Sequence, residues 1–454
     1  MINNISTPIY DFVKAYADKN ESRFHMPGHK GQAFLGIEQF DITEVEGADS
    51  LYEASGIIKE SEAYATSIFG TKSTYYATGG SSQCIGAMLY LALMAYKQKQ
   101  TCANGSKPIV IAARNAHKAF VHAVALLDLE VVWLWPEKDT ESICSCPITP
   151  IQVEKELLKY KERVVAVYLT SPDYLGGIQD VRSVAEVCHK YGTLLTVDNA
   201  HGAYLHFLEE RMHPIDLGAD ICADSAHKTL PVLTGGAYLH ISHHAPQCMV
   251  ENAKRALGLF GSTSPSYLIL SSLDLCNAYL SEEFEHKLNI CAELVSKTKK
   301  TLRNAGWNVL DTEPLKLVVK IPSAHRSDIA RKLASGNVVC EYMDSDYVVF
   351  MVTTENTAED LERIVLAFGT NDMNDCNIQC PIETKTISVC TIREAMLSNG
   401  EEVNLSEALG RICRVPTVSC PPAIPIAVPG ERITKEMVNV FHHYGVTNID
   451  VVKE

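Results

Sequence analysis

Four short stretches of this sequence carry residues whose types and spacing suit chemistry. Gly79-Gly80-Ser81-Ser82 sets two glycines and two hydroxyls at the head of an apolar helical pattern. The glycines admit a close approach, and the hydroxyls with the first free N–H groups of a helix can cradle an anion. The same string also reads as a turn and helix cap. Thr196-Val-Asp-Asn-Ala-His-Gly202 ends an apolar run on Asp198, a carboxylate placed to accept from a ring nitrogen or to cap the next helix. His201 suits the same ligand or a backbone carbonyl. In Asp224-Ser-Ala-His-Lys-Thr229, Ser225 and His227 precede Lys228, and Pro231, apolar residues and glycines follow. A lysine among apolar neighbours loses its proton near neutral pH and can attack an aldehyde to give an imine, whereas a lysine on the surface is simply solvated. His117, in Arg114-Asn-Ala-His-Lys-Ala-Phe120, either stacks on a flat ligand or faces water at a helix start.

The elements that must position these residues follow a βα rhythm from about Gly70. Strands are expected at Ile109–Ala113, Val131–Leu134, Val164–Leu169, Leu194–Val197, Ile221–Ala223 and Ala237–Ile241, with helices at His117–Leu127, Val153–Tyr160 and Val181–Tyr191. Near-continuous apolar runs separated by helices predict a largely parallel sheet covered on both faces, with the last two strands admitting an antiparallel neighbour. A long helical region, Tyr267 to about Leu302, leads to a compact α+β unit: strand Leu315–Ile321, helix Asp328–Leu333, strands within Val338–Val352 and helix Glu359–Phe368. A polar connector at Asn371–Ile382 precedes a last block with Thr391–Met396, a helix near Leu405–Ile412 and a stiff proline-rich segment from Cys420 to Gly430. The four chemical stretches fall at strand ends or helix starts, where open α/β sheets bind ligands. Together they resemble a pyridoxal phosphate site more than a nucleotide site, since neither a Gly-x-Gly-x-x-Gly fingerprint nor a Gly-Lys-Ser/Thr loop is present.

Composition narrows the field further. The 454 residues are about three times one ~150-residue domain. With 46% hydrophobic and 21% charged residues the chain is ordinary globular material. Forty basic against fifty-five acidic residues leave a formal charge of −15, which argues against a nucleic-acid partner and suits a small cation. No apolar window is long enough for a membrane span, and the N-terminus lacks the basic start and apolar core of a signal peptide, so a cytoplasmic protein is expected. Fifteen cysteines are dispersed from Cys84 to Cys420; in a reducing compartment they are read as buried thiols. Cys144-Ser-Cys146 and the Cys376/Cys380 pair lack the spacing of a metal site, and no metal is expected.

The sequence resembles the Orn/Lys/Arg decarboxylase family over nearly its whole length, in the shorter form without a receiver-like wing domain. The resemblance rests on His25-Met-Pro-Gly-His-Lys-Gly31, Asp49-Ser-Leu51 with Gly56, Phe69-Gly70, Gly79-Gly-Ser-Ser82 and Arg114-Asn-Ala-His-Lys118. It continues through Asp198-Asn-Ala-His-Gly-Ala203, Ser225-Ala-His-Lys-Thr-Leu-Pro231, Thr263-Ser-Pro-Ser-Tyr267, Glu407-Ala-Leu-Gly-Arg411 and Pro421-Pro-Ala-Ile-Pro425 with Pro429-Gly-Glu431. It implies an α/β, aspartate-aminotransferase-like (fold type I) large domain with a mainly parallel seven-stranded sheet, plus smaller α+β C-terminal domains. The expected divisions are an N-terminal arm at 1–40, a cofactor-binding domain at 41–290, a small domain at 291–373 and a family-specific domain at 374–454.

By the same resemblance the cofactor is pyridoxal 5'-phosphate. Lys228 is its Schiff-base lysine, Asp198 pairs with the pyridine nitrogen, His117 stacks on the ring, Ala200 packs on its other face and His201 lies close by. Ser81, Ser82, Ser225 and His227 meet the phosphate, and Ser264 reaches across from the second subunit of an obligate homodimer, often assembled further. Lys228 or His227 returns a proton to Cα. Three departures from the family pattern stand out: Gly79-Gly-Ser-Ser82 for Asn-Gly-Thr-Ser, Asn199 and Tyr204 for Glu and His, and Ala226 for Thr. None removes a group on which the cofactor chemistry depends.

The implied reaction is decarboxylation of a basic L-amino acid, foremost arginine to agmatine in polyamine biosynthesis, with lysine or ornithine next and transamination behind them. A silent regulatory protein would be expected to lack Lys228 or Asp198, and both are present. For the distal cation of the substrate, Glu46, Asp49, Glu341, Asp344 and Glu431 are candidate partners, each equally readable as a solvated loop carboxylate.

Overall fold

Apolar, β-branched runs build the centre of the sheets, and the strands Ile109–Ala113, Leu194–Asp198, Ile221–Asp224, Ala237–Ile241 and Lys316–Lys320 are buried end to end. The computed structural model describes residues 6–19, 21–99, 107–138, 140, 142–371, 386–417 and 422–453. The strands are β1 (Ser73–Ala77), β2 (Ile109–Ala113), β3 (Glu130–Leu134), β4 (Val164–Thr170), β5 (Leu194–Asp198), β6 (Ile221–Asp224) and β7 (Ala237–Ile241). They are followed by β8 (Asn308–Val309), β9 (Lys316–Lys320), β10 (Tyr342–Met343), β11 (Tyr347–Met351), β12 (Gly400–Asn404) and β13 (Asn448–Val452). The first seven form one sheet in the order β1-β7-β6-β5-β4-β2-β3, in which β7 runs antiparallel to both its neighbours. This is the mainly parallel seven-stranded sheet that the sequence led us to expect.

The chain divides into two compact units, one of residues 1–103 and 192–287 and the other of residues 104–191 and 288–454. In the first, β1, β7, β6 and β5 are covered by the helices Ile57–Ile68, Gly80–Lys99, Gln247–Phe260 and Tyr267–Ser281. Gly86 allows the Gly80–Lys99 helix to lie against Phe260: a Cβ there would come within 2.6 Å of the ring. The helix Pro8–Asp18 docks through Asp274, whose Oδ2 accepts from the N–H groups of Ile9 (2.8 Å) and Tyr10 (2.9 Å) while its Oδ1 accepts from Ser61 Oγ. Two of that helix's unpaired first-turn donors are thereby satisfied from a distant residue.

Burial raises the Asp274 pKa to about 6, although Ser61 and the N–H groups of Tyr10 and Ile9 pull the other way. The folded chain therefore binds this proton more tightly than the unfolded chain, where an aspartate titrates near ~3.9. That contribution to stability is present at low pH and is lost as pH rises through about 6. Relative to Asp274→Asn, the native protein should lose on the order of 2–3 kcal/mol between pH 4 and pH 7. Denaturant midpoints of the two proteins across that range check this; a constant gap would refute it.

In the second unit β2 lies between β3 and β4, all parallel, with helices Lys118–Leu127, Pro150–Tyr160 and Val181–Lys190. Thr149 and Gln152 close a reciprocal capping box at the start of the second of these. A four-stranded antiparallel sheet, β10-β11-β9-β8, carries the helices Arg326–Ser335 and Ala358–Phe368. β12 pairs with β13 beside the helix Lys435–His443.

Two expectations change in detail. The helical region from Tyr267 is two helices, Tyr267–Ser281 and Phe284–Asn304, because Glu282 leaves the helical region of φ/ψ (φ −90°, ψ −105°). The helix expected near Leu405–Ile412 is a single 3-10 turn, Leu405–Glu407, which runs into Gly410 at φ +83°. The connector, with Cys376 and Cys380, and the proline-rich segment's start at Cys420 lie outside the described residues apart from Asn371.

Eight of the eleven described cysteines are buried, among them Cys84, Cys222, Cys276 and Cys413. Burial pushes the Cys276 and Cys413 thiols up to about 12. No helix of the described residues is long and apolar enough to cross a membrane.

Candidate active site

The registers of the first unit bring the chemical residues to one edge of its strands. Asp198, the last residue of β5, pairs with Ala223 of β6. Asp224 is level with Tyr238, and Ala77 with Ala237. Because β7 is antiparallel to both β1 and β6, the C-terminal ends of β1, β5 and β6 share an edge with the residues that lead into β7. The Gly80–Lys99 helix starts just after β1, and the short helix Ala226–Thr229 just after β6.

At that edge Ser225 Oγ donates to Ser81 Oγ at 2.8 Å. Gly80, at φ +70°, donates its N–H to Gly235 O at 2.7 Å. Gly235 itself has φ +100°, and a Cβ there would come 2.8 Å from Thr78 O, so only glycine lets the two loops approach. Gly79 N–H donates to Gln83 Oε1 (2.9 Å), and the Gln83 amide donates in turn to Tyr52 OH and Leu257 O. The first turn of the helix thus combines helix-start N–H groups, half-buried Ser81 and exposed Ser82.

His227 donates from Nδ1 to Gly236 O at 3.0 Å, and its ring lies beside Gly80, whose Cβ would come 3.9 Å from Cε1. Burial lowers the His227 pKa, a shift only partly opposed by the Gly236 carbonyl and reinforced by the Lys228 charge. The imidazole is neutral at neutral pH, with Nε2 the atom able to accept a proton. Lys228 Nζ lies 2.9 Å from His201 Nε2. Asp198 is 3% exposed and accepts the N–H of Ala200 on Oδ1 at 3.2 Å. Lysine, histidine pair, carboxylate and hydroxyl pair therefore share one strand edge.

Two further sequence-predicted residues lie on other elements. Ser264 is exposed in the loop between the Gln247–Phe260 and Tyr267–Ser281 helices, where its N–H donates to Ser262 Oγ. His117 belongs to the second unit, where it caps the Lys118–Leu127 helix, Nδ1 accepting from Ala119 N–H at 3.1 Å.

The carboxylates weighed for a distal cation fare unequally. Asp49 accepts four backbone N–H groups, from Ser50, Ser55, Gly56 and Ile58, and is spent on its own loop. Asp344 accepts from Tyr342 OH and two backbone N–H groups, and Glu431 is 1% exposed against Arg114. Exposed Glu341 accepts from Tyr174 OH. Glu46 is exposed.

Asp224, which the sequence offered no role, is a heavily engaged carboxylate of this edge. It is fully buried and accepts from His213 Nε2 (2.9 Å), His240 Nε2 (3.2 Å), Asn199 Nδ2 (2.8 Å) and Cys222 Sγ (3.2 Å). Burial pushes its pKa up, but the two imidazoles outweigh this and hold it well below the carboxylate range. His213, Asp224 and His240 are close enough together for a metal ion. However, His213 Nδ1 accepts from Ile215 N–H, which places the proton on Nε2, the atom facing Asp224. The cluster is a hydrogen-bond network that ties Asn199, next to Asp198, to β6. Its only sequence signal was a carboxylate ending an apolar strand, the same signal Asp198 gave.

Chemically, the edge fits a phosphorylated pyridine aldehyde. The start of the Gly80–Lys99 helix offers N–H groups to a phosphate, Ser81 and Ser225 supply hydroxyls, Lys228 an amine, and Asp198 a carboxylate for a ring nitrogen.

The fold is that of the fold-type-I pyridoxal-phosphate enzymes. The solved structure of Escherichia coli constitutive lysine decarboxylase matches with a TM-score of 0.78, covering 100% of this chain and 82% of that one at 17% identity. The chain belongs to the Orn/Lys/Arg decarboxylase family: residues 7–322 match its major domain and residues 379–447 its C-terminal domain. It is accordingly a pyridoxal-phosphate-dependent decarboxylase of basic amino acids. Among its relatives, the uncharacterized protein YaaO of Bacillus subtilis (strain 168) is 30% identical over 465 residues, 96% of this chain and 93% of that protein. The arginine decarboxylase of the same organism is 28% identical over 466 residues, 95% and 92% of the two chains.

Proposed function

We propose that the protein converts L-arginine to agmatine and carbon dioxide, with pyridoxal phosphate held at the strand edge of the first unit. The observation that carries the reading is the convergence there of Lys228, Asp198 and the Ser81–Ser225 hydroxyl pair, 2.8 Å apart. Arginine is favoured over lysine because the relative named for arginine aligns over nine-tenths of both chains at 28% identity.

When bound, the cofactor supplies a conjugated ring that takes up the electron pair left on Cα as carbon dioxide departs. The chain's own groups do the rest. Lys228 Nζ holds the cofactor covalently. Ser81, Ser82, Ser225 and the N–H groups at the start of the Gly80–Lys99 helix bind its phosphate, with His227 alongside and Ser264 contributed from a second copy. Asp198, buried at the end of β5, would keep the proton on the ring nitrogen. His117 and Ala200 would pack against the ring, and His201 would stay beside the lysine. Lys228 Nζ or His227 Nε2 returns a proton to Cα. Orientation decides which Cα bond breaks.

The second copy is supported by the surface. Phe24, Met26, Phe34 and Leu35 are 94%, 68%, 79% and 85% exposed, a density of apolar side chains that marks an interaction face. A homodimer in the cytoplasm is the assembly we infer.

The test is carbon dioxide release from arginine, lysine and ornithine by cofactor-loaded protein, with the product amine identified in each tube. Equimolar agmatine from arginine alone is expected. Turnover of lysine or ornithine instead would overturn the substrate and keep the chemistry; a keto acid in place of carbon dioxide would overturn both.

A further inference from the structure

The turn that carries His117 is gripped by the C-terminal segment. Arg114 directly follows β2, and its side chain is 8% exposed. Its guanidinium lies over the rings of both Trp133 and Trp135, 5.2 Å from each centroid. Nη1 donates to Pro425 O (2.7 Å), and Nη2 donates to Ile426 O (2.9 Å) and Glu431 Oε2 (3.3 Å). Glu431 Oε2 also accepts the N–H of Val428 at 2.8 Å, so the acid shapes the very segment whose carbonyls Arg114 reads. One residue beyond His117, Lys118 N–H donates to Ala423 O at 3.0 Å. Between these clamps Asn115 Nδ2 donates to Cys144 O. The turn from 114 to 118 is thus held by residues 423–431 at both ends, through the Arg114 side chain at one and the Lys118 N–H at the other. His117, whose Nδ1 is committed to its helix cap, has little freedom left within it.

We propose that Arg114 is a positioning residue that acts through His117: with Glu431 it makes the C-terminal segment set the angle of the imidazole against the cofactor ring. The inference rests on the reading of His117 as the stacking residue. A planar, five-donor guanidinium is needed because one cation must face two carbonyls and a carboxylate while lying over two indoles. Lysine would keep the charge but could not fill those three acceptors in one plane.

The experiment is a double-mutant cycle on the cofactor-loaded enzyme, crossing Arg114→Lys with His117→Ala. Its readouts are kcat, KM and the visible circular dichroism of the bound cofactor. Arg114→Lys alone is expected to lower kcat roughly tenfold, as small misplacements do, with little change in KM, and to alter the dichroic band. In the His117→Ala background it should do neither, because the group it positions is gone. Glu431→Gln should repeat the pattern and stands in if the lysine variant does not fold. Equal, additive losses in both backgrounds would overturn the positioning role while leaving the stacking reading intact. A His117→Ala enzyme with native kcat and dichroism would overturn the stacking reading and this inference with it.

Discussion

Lys228→Ala is expected to lower carbon dioxide release by about a thousandfold or more, because in the proposed mechanism Lys228 is both the covalent hold on the cofactor and one of the two candidate proton donors. The amine lies 2.9 Å from His201 Nε2, on a four-residue helix at the end of β6. The side chain is only half-buried and contributes little to the core, so the variant should fold normally. Borohydride reduction followed by peptide mass analysis separates the causes: the native protein should carry the reduced pyridoxyl group on the Lys228 peptide, and the variant on none. Undiminished turnover by the variant, or label on a different lysine, would remove Lys228 from the mechanism.

The largest expected loss of stability belongs to Asp224→Ala. Its buried carboxylate receives two imidazole N–H groups, an amide and a thiol. Deleting it leaves four donors in a region without water-facing surface, with a cost of about 3–5 kcal/mol. Asp224→Asn keeps one acceptor oxygen but turns an amide NH2 toward existing donors, and should fall between. Denaturant midpoints for the three proteins would decide it. A loss under ~1 kcal/mol for the alanine variant would mean that the donors find other partners on relaxation.

How far this arrangement could be foreseen differs from element to element. Leu194–Val197 is a bare apolar run, so both the strand and the carboxylate that follows it were legible. β1 was not: Ser73-Thr-Tyr-Tyr is half polar, and as the sheet's last strand it pairs on one side only, with β7. Where strand ends meet, sequence offers candidates without partners. Asp198 and Asp224 gave identical signals, and only the register, which sets Asp198 beside Ala223, shows that they take different neighbours. Glu431 illustrates the same limit. A carboxylate in a proline-rich segment looked available to a substrate cation until Arg114, 317 residues away, was found against it. The break at Glu282 has neither proline nor glycine to announce it.

The buried thiols have a use of their own. With Cys84, Cys222, Cys276 and Cys413 sealed in the core and their acidities suppressed by burial, an alkylating reagent meets no thiolate there until the surrounding structure opens. The chain therefore carries its own set of clocks, distributed over both compact units. The rate at which each sulfur is trapped under native conditions reports how often its neighbourhood breathes, without any label having to be engineered in.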